Sequence, residues 1–342
     1  MKFLKCKLDQ IPPKTGKKVA IIGAGPAGLN AAAVLICKGH EVHVFDKLPE
    51  PGGLLIFGIP AWRMDKKLIR KGIKELADAG VVFHTNTTVD TEMFEKMLNE
   101  YDGVVIASGA WKSKFPKIPG IELEGVIDAL TYLVKEGLAR DGYIPKEERF
   151  VPVGKTAVIG CGETAMDACR QAVRDGAEEV YVIYRRSKEQ APSKDAEIKA
   201  AEKEGVEFIW LSNPTKLIGN EKGRVCKIEL IKMKLGEPDE SGRPRPIPIP
   251  GSEYTMDMDT VIFAVGMYAT PPFHDSKFGI ELTSRGTIKT DKEGRTTRPG
   301  VCAAGDVVTG PYLIGPAIIS GKKAAESLDE YLRTNKWEFK EN

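Results

Sequence analysis

Residues 18–46 read KVAIIGAGPAGLNAAAVLICKGHEVHVFD, and this stretch decides the fold. KVAII is an apolar run, GAGPAG a glycine turn and LNAAAVLICKG an alanine-rich helical stretch; EVHVFD alternates apolar residues before an acid. Strand, turn, helix and strand make one βαβ unit behind a short N-terminal tail. Within the turn, Gly23 permits the tight bend, Gly25 lets the backbone approach a pyrophosphate, and Gly28 lets the helix lie close on the strand. Amides at the helix start then face the phosphates. Asp46 stands 18 residues past Gly28, at the strand end, where an acid accepts hydrogen bonds from ribose hydroxyls. A glycine turn alone says little. A strand before it, a helix after it and an acid at this distance make it a dinucleotide site.

The same order repeats in residues 155–186, KTAVIGCGETAMDACRQAVRDGAEEVYVIYRR. The fingerprints begin at Gly23 and Gly160, so each has room for a nucleotide-binding domain of its own. In the second, Gly160 and Gly162 are followed by Glu163 and Thr164, with Ala165 where the third glycine would stand. Its second strand ends in Arg185 and Arg186, not in an acid. Two guanidinium groups at the ribose position suit a 2′-phosphate, which an acid would repel, so NADP(H) is expected over NAD(H).

Between the units, YDGVVIASGAWKSKFPKIPG carries a buried strand and a Pro/Gly exit; MDTVIFAVGMYATPPF reads as the return crossing. The expected organisation is a first domain over 1–111, a second, inserted, over 112–273, and the rest of the first over 274–342. RPRPIPIPG (243–251) holds four prolines and is expected at a hairpin rim or in a loop, not in central sheet. Near the C-terminus GVCAAGDVVTGPYLIGPAI runs from a strand into Gly305 and Asp306 and then into a helix. An acid at that place suits a ribityl chain.

Composition excludes several classes. Of 342 residues, 42% are hydrophobic and 29% charged, with a formal net charge of +2, so nothing asks for nucleic acid. No apolar run reaches the length of a membrane helix and the first residues lack a signal-peptide core, so the cytoplasm is expected. The six cysteines (Cys6, Cys37, Cys161, Cys169, Cys226, Cys302) show no CxxC, zinc or cluster spacing and are expected as scattered reduced thiols. Cys161 and Cys169, eight apart on one expected helix, are too far apart to join. His40, His43, His84 and His274 are not spaced as a metal site, and none is expected. Asn and Gln are scarce beside Lys and Glu, a bias of hot environments.

GAGPAG, the GG of EPGGLLIFGIPAWR, the ASG crossing, GCGETAMDA followed by YRR, FAVG, and AAGDVVTGPYLIGPAI together resemble the small subunit of glutamate synthase. They also resemble the FAD/NADPH half of its relatives, dihydropyrimidine dehydrogenase and the electron-bifurcating ferredoxin:NADP oxidoreductases. The likeness covers residues 18–333. It implies an α/β fold of two Rossmann-like domains, the NADP(H) domain inserted into the FAD domain. It assigns FAD to Gly23, Gly25, Pro26, Ala27, Gly28, Asp46, Lys47, Gly53, Leu54, Arg63, Val89, Gly109, Gly305, Asp306 and Ile314. It assigns NADP(H) to Gly160, Gly162, Glu163, Thr164, Ala165, Arg185 and Arg186, with Ala264 and Gly266 nearby. In that family hydride passes directly between nicotinamide and flavin, so no catalytic side chain is implied.

The departures matter as well. The family's small subunit begins with a helical domain holding two iron–sulfur clusters, whereas here 17 residues with the single Cys6 precede the first strand. An iron–sulfur-bearing partner subunit or ferredoxin is therefore expected, in a hetero-oligomer in the first case. A self-contained ferredoxin:NADP reductase or diaphorase is the alternative, and a nucleotide-binding module without turnover a third reading. The missing CxxC argues against thioredoxin reductase chemistry.

Overall fold

The computed structural model describes residues 1–239 and 242–341 and divides the chain into two compact units. The first takes residues 1–112 and the chain from 267 onward; the second, 113–266, is inserted between them. Residues 267–273 thus belong to the first unit, although the sequence expectation gave them to the second. The reason is packing: Phe273 is buried against Phe94 and Phe278, the Thr270 N–H donates to the Gly109 carbonyl, and the Ser108 hydroxyl donates to the Thr270 carbonyl.

The first unit holds a parallel sheet in the order Val301–Ala303, Gly103–Ile106, Lys18–Ile22, Glu41–Phe45, Val82–His84. These strands are short and apolar because a parallel sheet is covered on both faces. The strand at one edge comes from the far end of the sequence, so the first unit is complete only after the chain has returned. The helices Pro26–Ile36 and Ile314–Thr334 seal that return. A Cβ on Gly321 would lie 2.1 Å from the Ala27 carbonyl oxygen, so the two backbones nearly touch and only glycine fits. Ala31, Ala324 and Ala325 are buried on these two helices.

The second unit repeats the parallel sheet, Val126–Asp128, Thr260–Phe263, Lys155–Ile159, Glu179–Tyr184, Val206–Trp210, and adds antiparallel strands Ser212–Gly219, Val225–Pro238, Pro244–Pro248 and Tyr254–Asp257. Among the described residues Pro244–Pro248 pairs only with Val225–Pro238 at the rim, where prolines lacking an N–H do least harm. Asp65, Asp90 and Asp128 each accept a backbone N–H at a helix start, from Lys67, Met93 and Thr131.

The N-terminal segment is a fastened strap. Phe3 and Leu4 are buried, Thr15 bonds His40, and His40 in turn bonds Asp329 of the last helix. The expectation of six reduced thiols fails for two of them: Cys6 and Cys37 form a disulfide with Cα atoms 5.8 Å apart. Packing of Phe3 on the helix Lys66–Asp78, and of Pro12 and Pro13 against Gly39, brings the pair together, which sequence spacing could not reveal. Cys161 precedes the helix Glu163–Arg174 instead of lying on it.

A crosslink spanning 31 residues restricts the unfolded chain by about 3–4 kcal/mol. Denatured, unreduced protein should therefore titrate four thiols, and reduction should lower the melting temperature by several degrees. Six thiols before reduction, or a reductant-independent melt, would remove the strap's crosslink from the account.

Candidate dinucleotide sites

In the first unit the glycine turn follows Lys18–Ile22 directly. Gly23 has φ 101°, and a Cβ there would sit 2.3 Å from the Ala107 carbonyl oxygen. A Cβ on Gly28 would lie 1.9 Å from the Gly23 oxygen, so helix and strand close on each other as the motif requires. Gly25, by contrast, caps the helix, and nothing comes within 4 Å of where its Cβ would be. That open backbone beside a helix start is where a pyrophosphate fits. Pro26 and Ala27 begin the helix.

Asp46 braces this turn. One carboxylate oxygen accepts the Ala24 N–H at 2.6 Å, the other the Leu48 N–H at 2.8 Å. Burial pushes its carboxyl upward, and the two N–H bonds pull it back toward the charged form. Each oxygen keeps a second lone pair, so the acid that holds the turn can also accept a ribose hydroxyl. Next to it, the Lys47 ammonium stands 3.8 Å over the centre of the Trp111 ring, and burial lowers its pKa.

Several of the other expected residues gather on the same turn or beside it. Gly53, at φ 54°, would place a Cβ 3.0 Å from the Gly25 Cα, and Leu54 opens the short helix Leu54–Phe57. Arg63 stacks on Trp62, 5.3 Å from the ring centre. Gly305, at φ 73°, would bring a Cβ 3.0 Å from that of Ala27; thus the C-terminal Gly-Asp pair abuts the fingerprint helix. Asp306 accepts the Tyr312 N–H at 3.3 Å, and Ile314 begins the last helix. Gly109, at φ 77°, lies under the Trp111 indole nitrogen; Val89 lies half-buried against the aromatic core of Phe45 and Phe94. Sequence reasoning missed Lys66. Its buried ammonium donates to the Leu55 and Ile59 carbonyls, both at 2.6 Å, and fixes the loop that carries Gly53 and Leu54. No local signal separates it from the exposed Lys67 next door.

The second unit rebuilds the turn with different fastenings. Gly160 has φ 123°, and a Cβ would meet the Ala264 oxygen at 2.4 Å; Gly162 is as open as Gly25. Ala165 is fully buried, so the helix here tolerates a methyl where Gly28 does not. Thr164 is half-buried beside it, and Gly266, at φ 102°, is exposed. The Ser193 hydroxyl donates to Glu163 and its N–H to the Cys161 carbonyl, 3.1 Å each, tying residues 187–193 to the turn. The arginines behave differently from each other. Arg185 is exposed, whereas Arg186 is 2% exposed and donates to the Pro244 carbonyl at 2.8 Å and to Asp239 at 2.6 Å. The two guanidinium groups expected at one phosphate thus have different surroundings, Arg186 being turned into the rim hairpin.

Among the described residues no cluster of His, Cys, Asp or Glu is placed to hold a metal ion, and no helix is long and apolar enough to cross a membrane. Burial raises the thiols of Cys161, Cys169 and Cys302, Cys161 to about 12. Such thiols are poor nucleophiles.

A model of the pyridine nucleotide-disulphide oxidoreductase family matches residues 17–321. The chain belongs to this family. Within it, the chain is 41% identical over 323 residues to the NADP(+)-dependent formate dehydrogenase subunit beta of Moorella thermoacetica, covering 93% of this chain and 44% of that protein. It is 39% identical over 325 residues to the glutamate synthase (NADPH) small chain of Halomonas elongata, covering 93% of this chain and 68% of that one. The resemblance read from the six motifs is thereby borne out. Among solved structures, FprA of Mycobacterium tuberculosis superposes with a TM-score of 0.77 at 22% identity, covering 94% of this chain and 85% of that chain. Thioredoxin reductase of Lactococcus lactis does so at 0.68 and 20%, covering 93% and 99%. These two establish the α/β fold of paired dinucleotide-binding domains.

Burial lifts the Asp306 carboxyl to about 6, against the opposing pull of the Tyr312 N–H. The folded chain therefore holds this proton more tightly than the unfolded one. Its stabilising contribution is full at low pH and is lost as pH rises from about 4 to about 6. Asp306→Asn should stabilise the flavin-free protein at pH 7 by up to about 3 kcal/mol, with the gain vanishing near pH 4, while weakening FAD binding. Melting curves at both pH values with a flavin titration test this. A variant that melts lower at pH 7, or binds FAD undiminished, would contradict it.

Proposed function

We propose that this chain binds FAD on its first unit and NADP(H) on its second, and transfers reducing equivalents from NADPH through the flavin to an iron–sulfur protein. The observation that carries the reading is the pair of glycine turns. Each is opened by a glycine with no neighbour at its Cβ position, one followed by Asp46 at the strand end and the other by the exposed Arg185. An acid suits an unphosphorylated ribose, a cation a phosphorylated one. Hydride transfer is the chemistry the two groups supply when bound.

The chain's own residues bind and orient. Gly23, Gly25 and Gly28 shape the turn, Asp46 receives the adenosine ribose, and Asp306 receives the ribityl hydroxyls at the N-terminal approach of the last helix. Arg63, Lys47, Gly53 and Leu54 line the flavin side, and Val89 the adenine side. Gly160, Gly162, Glu163 and Thr164 form the coenzyme turn. No side chain is asked to give or take a proton.

The reading of an onward partner is supported by the names of the relatives. The Moorella protein is named as a beta subunit and the Halomonas protein as a small chain, and this chain spans 44% and 68% of their lengths. A subunit of such an assembly, in the cytoplasm, is the reading we adopt, with a glutamate synthase small-subunit role its leading example. A ferredoxin:NADP reductase is the second reading, supported by the FprA-like fold. Disulfides inside cells occur in proteins of hyperthermophiles, which agrees with the Lys- and Glu-rich composition.

The isolated chain should purify yellow and bleach on anaerobic addition of NADPH. It should then reduce artificial dyes, yet make neither glutamate from 2-oxoglutarate and glutamine nor reduced thioredoxin. A flavin that NADPH leaves oxidised would overturn the proposal, and glutamate formation by the chain alone would reveal a site the account lacks.

A further inference from the structure

The second unit carries an antiparallel arm, the end of Val225–Pro238 with Pro244–Pro248, that neither glycine turn uses. The arm is fastened on one side. Arg186, buried just past the strand Glu179–Tyr184, donates to the Pro244 carbonyl and to Asp239, and the Met233 N–H donates to the Leu211 carbonyl at 2.7 Å. Met233 is buried and Leu235 half-buried, so this side of the arm faces the unit. The other side faces solvent. Strand alternation puts Lys232, Lys234 and Gly236 there from one strand, and Arg245, Ile247 and Ile249 from the other. A Cβ on Gly236 would lie 2.4 Å from the Ile247 Cδ1, so the glycine leaves room for the isoleucine to lie across the strand. Ile247 and Ile249 are each 37% exposed, and Lys232, Lys234 and Arg245 are exposed as well. Among the described residues no ion pair neutralises these three cations, whereas Lys188, Lys199 and Lys227 of the same unit each meet a carboxylate. The arm's edge is closed to a further strand. The Ile249 N–H donates to the Lys232 carbonyl at 2.9 Å and Ile247 lies opposite Lys234, so Pro246 and Pro248 stand where N–H groups would point outward. An edge without those donors resists strand addition, which leaves the face, not the edge, to meet a partner.

We propose that this face, with Ile247 and Ile249 at its centre and Lys232, Lys234 and Arg245 around them, docks a small soluble iron–sulfur carrier through a carboxylate-rich surface. The inference rests on the reading that the chain passes electrons to an iron–sulfur protein. Charge complementarity selects the partner. Cations without a counter-ion attract a surface of carboxylates, speed the encounter and fix its register. The same charges oppose a second copy of this chain, because a two-fold contact would set the cations of one arm against those of the other. Size selects a carrier over a permanent subunit. A narrow face of half-exposed isoleucines ringed by charge matches the small, polar contacts of transient redox encounters, whereas permanent interfaces are broad and apolar.

The test is calorimetric titration of the flavin-loaded full chain with a purified acidic bacterial ferredoxin. Wild-type protein should bind it, with affinity falling roughly tenfold between about 20 and about 200 mM salt. The triple reversal Lys232→Glu, Lys234→Glu, Arg245→Glu should weaken binding at low salt by roughly tenfold or more and abolish the salt dependence. Ile247→Ser should weaken it roughly threefold and keep the salt dependence. Reversing three exposed lysines elsewhere in the unit, Lys135, Lys203 and Lys222, changes the net charge equally and should leave affinity within about twofold. Dye reduction by NADPH should be the same in every variant, which shows that each is folded and carries flavin. Ferredoxin that ignores the wild type, binds the arm reversal undiminished, or is lost equally in the control reversal overturns the inference. Attachment of the wild type to phosphatidylglycerol vesicles in place of ferredoxin would assign the face to a membrane and overturn it as well. A flavin that NADPH leaves oxidised, with ferredoxin still bound through the arm, overturns the proposed function and leaves the docking face standing.

Discussion

The backbone at Gly23 and Gly28 has to pass within contact of its neighbours, and the Asp46 carboxylate is what holds it there. Two N–H groups, from Ala24 within the turn and Leu48 beyond the next strand, end on its two oxygens. Without that brace the Ala24 donor would be stranded in a buried place. Around the braced turn the rest of the first unit is assembled: Gly52 donates to Ala24, Gly53 lies on Gly25, and Gly305 lies on Ala27. The last of these contacts requires the C-terminal helix, whose Gly321 touches the Ala27 backbone. One turn therefore dictates small residues at positions nearly 300 apart in the chain.

The second unit solves the same geometric problem without an acid at the strand end. Gly160 still presses on a carbonyl, that of Ala264, but the loop after the strand is fastened through Ser193 to Glu163 and Cys161. An acid at the position of Arg185 would carry the wrong sign for a phosphorylated ribose, so the bracing is moved elsewhere and the strand end is left to a cation. On the proposed reading, the difference between the units is a difference in which charge the ribose end must meet.

The fold was largely legible in the sequence because its signals are local. Glycines that need positive φ or a vacant Cβ, short apolar strands and alanine-rich helices are each read within about ten residues, and the rim position of residues 244–248 follows from proline's missing donor. What could not be read depends on chain segments that meet only after folding. Cys6 meets Cys37 where Phe3, Pro12 and Pro13 dock on the rest of the unit. Lys66 finds two carbonyls across a loop. Arg186 is claimed by Asp239, 53 residues away, so that two adjacent arginines with the same chemistry end in opposite environments. Which of the two faces solvent is decided by the alternation of the strand and by the hairpin, and only the first of these is written locally.

The central claim is that one chain carries two separate dinucleotide sites. Equilibrium titration of the flavin-free protein with FAD and with NADP+, singly and together, measures it most directly. The account requires one FAD and one NADP+ per chain, bound at once, neither displacing the other. A single nucleotide per chain, or competition between the two, would contradict it.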